Sequence, residues 1–219
     1  MAAARRGRWL RELYQRLWEV WGAQGWWPGD TPFEVAVGAI LTQNTNWNNV
    51  ALAIAALKEQ QVLEPQALYD LPEPELARLI RPAGYYNVKA KRLRNFLNFL
   101  ANHYQNSMAV MAADNLENLR QGLLAVKGIG PETADSILLY ALDKPTFVVD
   151  AYTFRILNRH NLIPETYTYE ELRQSFMEHL PFQVTLYQEY HALLVRLGKV
   201  WCRPKPQCDS CPVQGWPEE

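Results

Sequence analysis

Three groups of residues in this sequence have types and spacings that suit chemistry. Residues 128–130 read Gly-Ile-Gly and are followed by Pro131, while Asp150 ends the apolar run 147–149. Three cysteines come later in the chain, namely Cys202, Cys208 and Cys211. Glycines before a new helix can bind phosphate, a carboxylate can stabilise positive charge or activate water, and thiolates can bind metal.

The glycine turn lies between a helical pattern that ends and another that begins. Residues 126–133 read Val-Lys-Gly-Ile-Gly-Pro-Glu-Thr. This arrangement is typical of a helix–hairpin–helix element, which holds one DNA strand by its backbone without reading bases. An ordinary connection between two helices is the alternative. Asp150 likewise has a plain alternative, because aspartate often caps a helix N-terminus.

The composition is that of a folded domain without a strong basic excess. Of 219 residues, 48% are hydrophobic and 21% charged, and 22 Lys and Arg against 23 Asp and Glu leave a net charge of −1. The low net charge does not exclude a DNA partner, because the basic residues are clustered. The clusters are Arg5, Arg6, Arg8 and Arg11; Lys89, Lys91, Arg92 and Arg94; and Arg196, Lys199, Arg203 and Lys205.

Two further features bear on where the protein resides. The longest apolar run, residues 35–41, falls far short of the roughly 20 residues that span a bilayer, so we expect no membrane partner. No secretory signal is visible, and the clustered cysteines suggest metal binding in a reducing compartment. We therefore expect a cytoplasmic protein, associated with a bacterial or archaeal nucleoid.

Helical periodicity dominates the elements that must position these residues. Helices are predicted over residues 9–21, 33–41, 46–58, 88–104, 132–142 and 185–199. Thr31 is a predicted N-cap with Glu34 as its capping-box partner, and Thr168 and Glu171 form a second predicted box. No stretch alternates convincingly with period two, so the sequence predicts an all-α protein of about ten helices.

The order of hairpin, helix, apolar run and Asp150 resembles the endonuclease III superfamily of DNA glycosylases, the HhH-GPD family. The resemblance spans nearly the whole chain. It implies two helical domains that flank a DNA-binding cleft. Residues 24–145 would form a six-helix barrel domain that contains the hairpin. Residues 1–23 and 146–219 would form a second domain with the cysteine loop, and Asp150 would lie at the mouth between them.

The resemblance also implies how double-stranded DNA with a damaged base would be held. In the family, a Gln at the place of Gln43, in the Leu-Thr-Gln-Asn-Thr stretch 41–45, enters the gap left by a flipped base. Residues 84–90, Gly-Tyr-Tyr-Asn-Val-Lys-Ala, resemble the family turn in which the residue at Tyr85 wedges beside the orphaned base. A helix cap for Gln43 and a core position for Tyr85 are the alternatives. The remaining expected DNA contacts are Lys89, Lys127, Gly128, Ile129, Gly130 and Thr133.

Glu132 indicates which chemistry the family resemblance implies. Bifunctional members carry a lysine there that attacks the sugar, and a carboxylate cannot form an imine. We therefore expect a monofunctional, monomeric enzyme that uses water, with Glu132 in its catalytic set. Asp150 would stabilise the oxocarbenium-like sugar and activate that water.

A narrower resemblance points to endonuclease III-type 3-methyladenine DNA glycosylases, through Trp-Trp-Pro at 26–28 and the aromatic residue after the Gln loop. It implies that Trp47 stacks on the flipped base and that Trp27 and Pro28 wall the pocket. A core role is the alternative for each Trp. Lys199, which follows a glycine in the last long helix, would be carbamylated near the active site or would contact phosphate; both readings stay open.

The cysteine stretch 202–211 resembles the family's iron–sulfur loop, which uses four cysteines for a [4Fe–4S] cluster. This chain has three, and the first spacer has five residues instead of six. The resemblance leaves open a cluster with a different fourth ligand, a three-iron cluster, or a loop without a cluster; zinc is a weaker option.

Two other functions compete with alkylated-purine excision. One is a mismatch or oxidised-pyrimidine DNA glycosylase, with or without weak AP-lyase activity. The other is a non-catalytic binder of DNA structures that retains the hairpin and has lost the chemistry.

Overall fold

The computed structural model describes residues 2–217, and the side chains of residues 5–217. This part of the chain contains twelve α-helices and no β-strand, so the predicted all-α class is confirmed. The helices are α1 (Ala2–Trp21), α2 (Pro32–Leu41), α3 (Trp47–Glu59), α4 (Pro65–Asp70), α5 (Glu73–Leu79), α6 (Tyr86–Tyr104), α7 (Met108–Ala112), α8 (Leu116–Ala125), α9 (Pro131–Ser136), α10 (Ala151–Arg159), α11 (Tyr169–His179) and α12 (Val184–Val200).

Short non-α turns complete the helical structure. Single 3-10 turns cover Arg81–Ala83 and Cys208–Ser210, and a π-helical stretch, Ile137–Ala141, continues α9. The helix predicted over 132–142 is therefore an α-helix followed by π-helical geometry. α1 begins well before residue 9, since alanine and arginine favour helix even where no apolar stripe marks it.

The helix starts follow the predicted caps with one difference. Thr31 accepts a hydrogen bond from the backbone N of Glu34 at 3.1 Å. The carboxylate of Glu34 does not close a capping box there; it accepts from the backbone N of Asp30 and pairs with Lys58 at 2.8 Å. The box of Thr168 and Glu171 is present with both of its hydrogen bonds.

The chain divides into two compact units, Trp27–Lys144 and Met1–Trp26 with Pro145–Glu219. In the unit of residues 27–144, α2 is buried along nearly its whole length and packs against α3, α6, α9 and the π-helical stretch. In the other unit, the ring of Phe147 stacks on Phe176 with centroids 3.8 Å apart. Tyr187 and Tyr190 meet the same ring edge to face, so Phe147 lies in the core that carries Asp150.

None of the described helices is both long enough and apolar enough to pass through a membrane.

Candidate active site and nucleic-acid interface

The hairpin joins α8 to α9 and has the backbone that its two glycines predict. Gly128 adopts φ +98°, which other residues rarely adopt, and Gly130 is the N-cap of α9. An ideal Cβ at Gly128 would also lie only 2.5 Å from Cγ of Arg92. Ile129 is buried and Lys127 is exposed. The hairpin thus anchors itself through Ile129 and presents Lys127 and backbone groups to solvent.

A buried ion pair holds the two helices of the hairpin together. Arg120 of α8 donates to both carboxylate oxygens of Asp135 in α9, at 2.9 and 3.1 Å. Asp135 has no exposed surface. Because breaking a buried pair leaves an uncompensated charge, this contact stabilises the angle between the helices.

Gln43 lies against the hairpin. Its Nε2 donates to the carbonyl of Gly128 at 3.1 Å and to Oγ1 of Thr133 at 2.8 Å. Arg92 donates to its Oε1. Thr133, an expected DNA contact, is buried and accepts this bond. The loop expected to enter the duplex is therefore joined to the element expected to hold the strand.

Lys89 differs from the expected DNA contact. Its side chain is 1% exposed, and its Nζ donates to the carbonyls of Leu41 at 2.8 Å and Ala83 at 2.7 Å. Burial, together with the positive charge of Arg92, lowers the pKa of Lys89 to about 8. The ammonium group is committed inside the protein and cannot also reach a phosphate. Its role is to tie the loop of Gln43 to the turn of Tyr85.

Tyr85 is 72% exposed, more than any other aromatic residue of the candidate site. It lies directly before α6 in the left-handed region, with φ +47°. A non-glycine residue in that region costs on the order of 1 kcal/mol. An exposed ring held in a strained conformation suits a wedge and does not suit a core position.

The two predicted pocket tryptophans lie together. Trp27 and Trp47 are half-buried and meet edge to face, with centroids 5.5 Å apart at 87°. Tyr140 lies on another side of Trp27 at 5.4 Å. An ideal Cβ at Gly38 of α2 would come within 3.6 Å of both indoles. Pro28 is exposed beside Trp27.

Asp150 is the N-cap of α10, as its plain reading predicts, and it is also nearly buried at 8% exposure. Its Oδ1 accepts from the backbone N and from Oγ1 of Thr153, both at 2.8 Å. Nε2 of His191, in α12, lies 3.7 Å from Oδ2. Burial favours the neutral acid, but His191 and the two bonds from Thr153 outweigh it. The pKa of Asp150 is therefore lowered, and the group is a carboxylate at neutral pH.

The other two expected catalytic residues are exposed. Glu132 is the second residue of α9. Lys199 is near the end of α12, with Nζ 5.4 Å from the ring centre of Trp26. Carbamylation and phosphate binding by Lys199 both remain predictions.

The cysteine loop does not fit a four-thiolate cluster. The sequence has three cysteines, and in residues 2–217 no three His, Cys, Asp or Glu side chains gather closely enough to hold a metal ion. Arg159 instead donates to Sγ of Cys202 at 3.5 Å. Burial raises the pKa of the Cys211 thiol, and the other two cysteines raise it further. Cys208 is exposed.

Hydrogen bonds from α10 hold this loop. Arg155 donates to the carbonyls of Cys202 at 2.6 Å and Gly198 at 3.1 Å. Arg159 donates to the carbonyl of Pro204 at 3.0 Å. The loop is therefore fixed to the helix that begins after Asp150 by protein contacts.

Several supporting residues were not recognised from the sequence. Thr153 could have been found, because Asp-x-x-Thr has the spacing of a capping box. Gly38 and His191 carry no local signal, since each is a single small or polar residue on an apolar helix. Their roles depend on contacts with a distant element.

The chain is similar to several known proteins. Residues 37–182 match the model of the HhH-GPD superfamily base excision DNA repair proteins. A protein of Methanocaldococcus jannaschii, provisionally named a DNA repair glycosylase, is 49% identical over 207 residues, 94% of each chain. Endonuclease III of Thermotoga maritima is 30% identical over 181 residues, 82% of this chain and 79% of its own.

A solved structure is also similar to this chain. The Helicobacter pylori 3-methyladenine DNA glycosylase, bound to 1,N6-ethenoadenine, superposes with a TM-score of 0.77 at 30% identity. The match covers 87% of this chain and 97% of that one. The chain described here therefore belongs to the endonuclease III-like HhH-GPD superfamily of base excision DNA repair proteins.

Proposed function

We propose that this DNA glycosylase is monofunctional and excises alkylated purines, such as 3-methyladenine, from double-stranded DNA. The observation that carries the proposal is the edge-to-face pair of Trp27 and Trp47 beside Gly38. Both indoles pack against Gly38 so closely that one added methyl group would contact each of them, and the unit that contains them also contains the hairpin.

The chemistry of the lesion suits two indoles. An N-alkylated purine is positively charged, and indole is the aromatic side chain that binds cations best. The same charge makes the base a good leaving group, so the protein need supply little acid catalysis. The Helicobacter pylori 3-methyladenine glycosylase, which has a modified adenine bound in its solved structure, supports this substrate class.

Asp150 would carry the bond-breaking step. When the bond from C1′ to the base nitrogen breaks, its electron pair leaves with the base and positive charge builds on the sugar. The carboxylate stabilises that charge, and a water oxygen bonds to C1′ while its proton passes to Asp150. Glu132 stands where bifunctional members have a lysine, so no Schiff base forms and the strand is not cut.

Base release is the direct test. Duplexes that contain 3-methyladenine, an oxidised pyrimidine or a mismatch are each incubated with the wild-type chain, and the free base is measured. We expect release of the alkylated purine alone. Preferential release of either other base would refute the substrate, DNA binding without any release would refute the activity, and efficient borohydride trapping on DNA would refute monofunctionality.

Two variants test the residue roles. Trp47→Ala should lower release about ten- to thirtyfold, because a desolvated cation–π contact contributes roughly 2 kcal/mol. Trp18→Ala, at a half-exposed tryptophan of α1, is the matched control and should not change it. Asp150→Asn should lower release about 10²- to 10⁴-fold while duplex binding survives. Wild-type rates in either site variant would contradict its assignment.

A further inference from the structure

Two groups from different helices contact the carboxylate of Asp150, and only one of them belongs to its own helix. Thr153 engages Oδ1 alone. We propose that His191 is a positioning residue for catalysis, whose imidazole keeps Asp150 ionised and holds Oδ2 in one orientation. The proposal rests on the proposed function of Asp150 and adds the residue that would keep that carboxylate ready.

Each oxygen of the Asp150 carboxylate faces a different neighbour. Two hydrogen bonds from Thr153 fix Oδ1 at the start of α10. The position of Oδ2 then depends on the group that faces it. Nε2 of His191 lies 3.7 Å from Oδ2, which is ion-pair distance and longer than a hydrogen bond. The side chains are only 5% and 10% exposed, so solvent screens the contact weakly.

The electrostatic balance at Asp150 depends on this contact. Burial is the largest influence on the pKa of Asp150 and would raise it. His191 acts against burial and lowers this pKa, ahead of the two bonds from Thr153. Without His191, burial would meet only the opposition of Thr153, and the pKa of Asp150 would rise.

The other charged groups on the surrounding helices have partners elsewhere. In α12 they are Glu189, Arg196 and Lys199, which contact residues 21–26. In α10 they are Arg155 and Arg159, which donate to residues 198–204. In α11 they are Glu170, Glu171, Arg173, Glu178 and His179, which contact Thr146, Thr168 or their own helix. His191 is the group that faces Oδ2.

The experiment measures single-turnover base release from an alkylated duplex between pH 5 and pH 8, with the enzyme-free rate subtracted. Wild-type release should not fall through Asp150 at the acid end, because its pKa lies below the ordinary value. His191→Leu should release base about tenfold more slowly at pH 5 and recover towards pH 8, because a raised pKa would leave part of Asp150 protonated in acid. Its affinity for the duplex should not change, since His191 is buried.

Two more variants keep the result interpretable. His191→Gln keeps a polar side chain of similar size that cannot carry a positive charge, so its acid loss should lie between those of wild type and the Leu variant. His179→Gln replaces a histidine of α11 that contacts the Ser175 carbonyl, and its profile should match wild type.

Each outcome decides the matter. A loss by the same factor at pH 5 and pH 8 would mean that His191 only fills space, and flat wild-type profiles in both variants would likewise overturn the inference. If the Leu variant does not fold, the profile of the Gln variant decides alone. If the wild-type chain releases no alkylated base at any pH, it is the proposed function that fails.

Discussion

α12 crosses α10 at Gly198 and Tyr152, two residues after Asp150. An ideal Cβ at Gly198 would lie 2.4 Å from Cδ1 and 2.6 Å from Cβ of Tyr152. Ordinary contact begins at 3.4 Å. Ring rotation can move Cδ1 away, but the Cβ of Tyr152 is fixed to the backbone. Gly198→Ala must therefore move α10 and α12 apart at this crossing by close to 1 Å.

That shift sets the expected size of the effect. Forcing an extra methyl group into a packed site costs about 1–3 kcal/mol. A misplacement of about 1 Å at a catalytic group lowers turnover on the order of 10²-fold. Asp150 precedes the first residue of α10. We therefore expect Gly198→Ala to fold with a lower melting temperature and to release base about 10²-fold more slowly.

Thermal unfolding and single-turnover release on an alkylated duplex measure both effects. Gly122→Ala in α8 is the matched control, because its Cβ would meet only the far end of the Phe99 ring, at 2.9 and 3.0 Å. That ring can turn away, and alanine gains about 1 kcal/mol of helix propensity. A Gly198→Ala protein with wild-type melting and wild-type release would refute the claim that this crossing positions Asp150.

Three further predictions follow from single sites. Tyr85→Gly relieves a strained φ that costs roughly 1 kcal/mol, so the unfolding free energy should rise or stay unchanged. The same variant should bind a lesion duplex more weakly, because it lacks the ring. Tyr85→Asn, which tolerates the same backbone, is the control. Anaerobically purified protein should lack iron, acid-labile sulfide and absorbance near 400 nm, because the cysteine loop does not fit a cluster. Asp150→Asn keeps the cap, and its loss of stability relative to wild type should shrink as the pH falls below about 4. The folded state depresses the pKa of Asp150, so the ionised carboxylate stabilises the fold at pH values above its unfolded-state pKa, and this stabilisation is lost on acidification.

The elements and the exposed ends of the site were predictable from the sequence. Helical periodicity located α1, α2, α3, α6, α9 and α12, and the capping spacing of Thr168 and Glu171 is a strictly local signal. The hairpin was predictable because Gly128 must adopt a backbone that few other residues can. Local steric rules and hydrogen-bond rules act within a few residues, so a single sequence displays them.

Lys89 shows where local reasoning fails. A lysine in the basic stretch that includes Arg92 looks like a phosphate contact. Its Nζ instead donates to two carbonyls that lie 48 and 6 residues away along the chain. Burial of a lysine depends on whether carbonyls with no other donor meet around it, which is a property of packing. The sequence contains the residue, but the partners come from the end of α2 and a 3-10 turn.

The same distinction separates the residues proposed to act on DNA from the residues that hold them. Asp150, Tyr85 and Gln43 stand at helix ends and turns, within short motifs that resemble those of the family. The residues that hold them, such as His191 for Asp150 and Arg92 for Gln43, lie inside long helices and reach across to another element of the same unit. Substitutions of the first kind should abolish steps outright, whereas substitutions of the second kind should shift a pKa, a conformation or a rate by degrees. The graded pH profile expected of His191 variants is the measurement that distinguishes the two kinds in this protein.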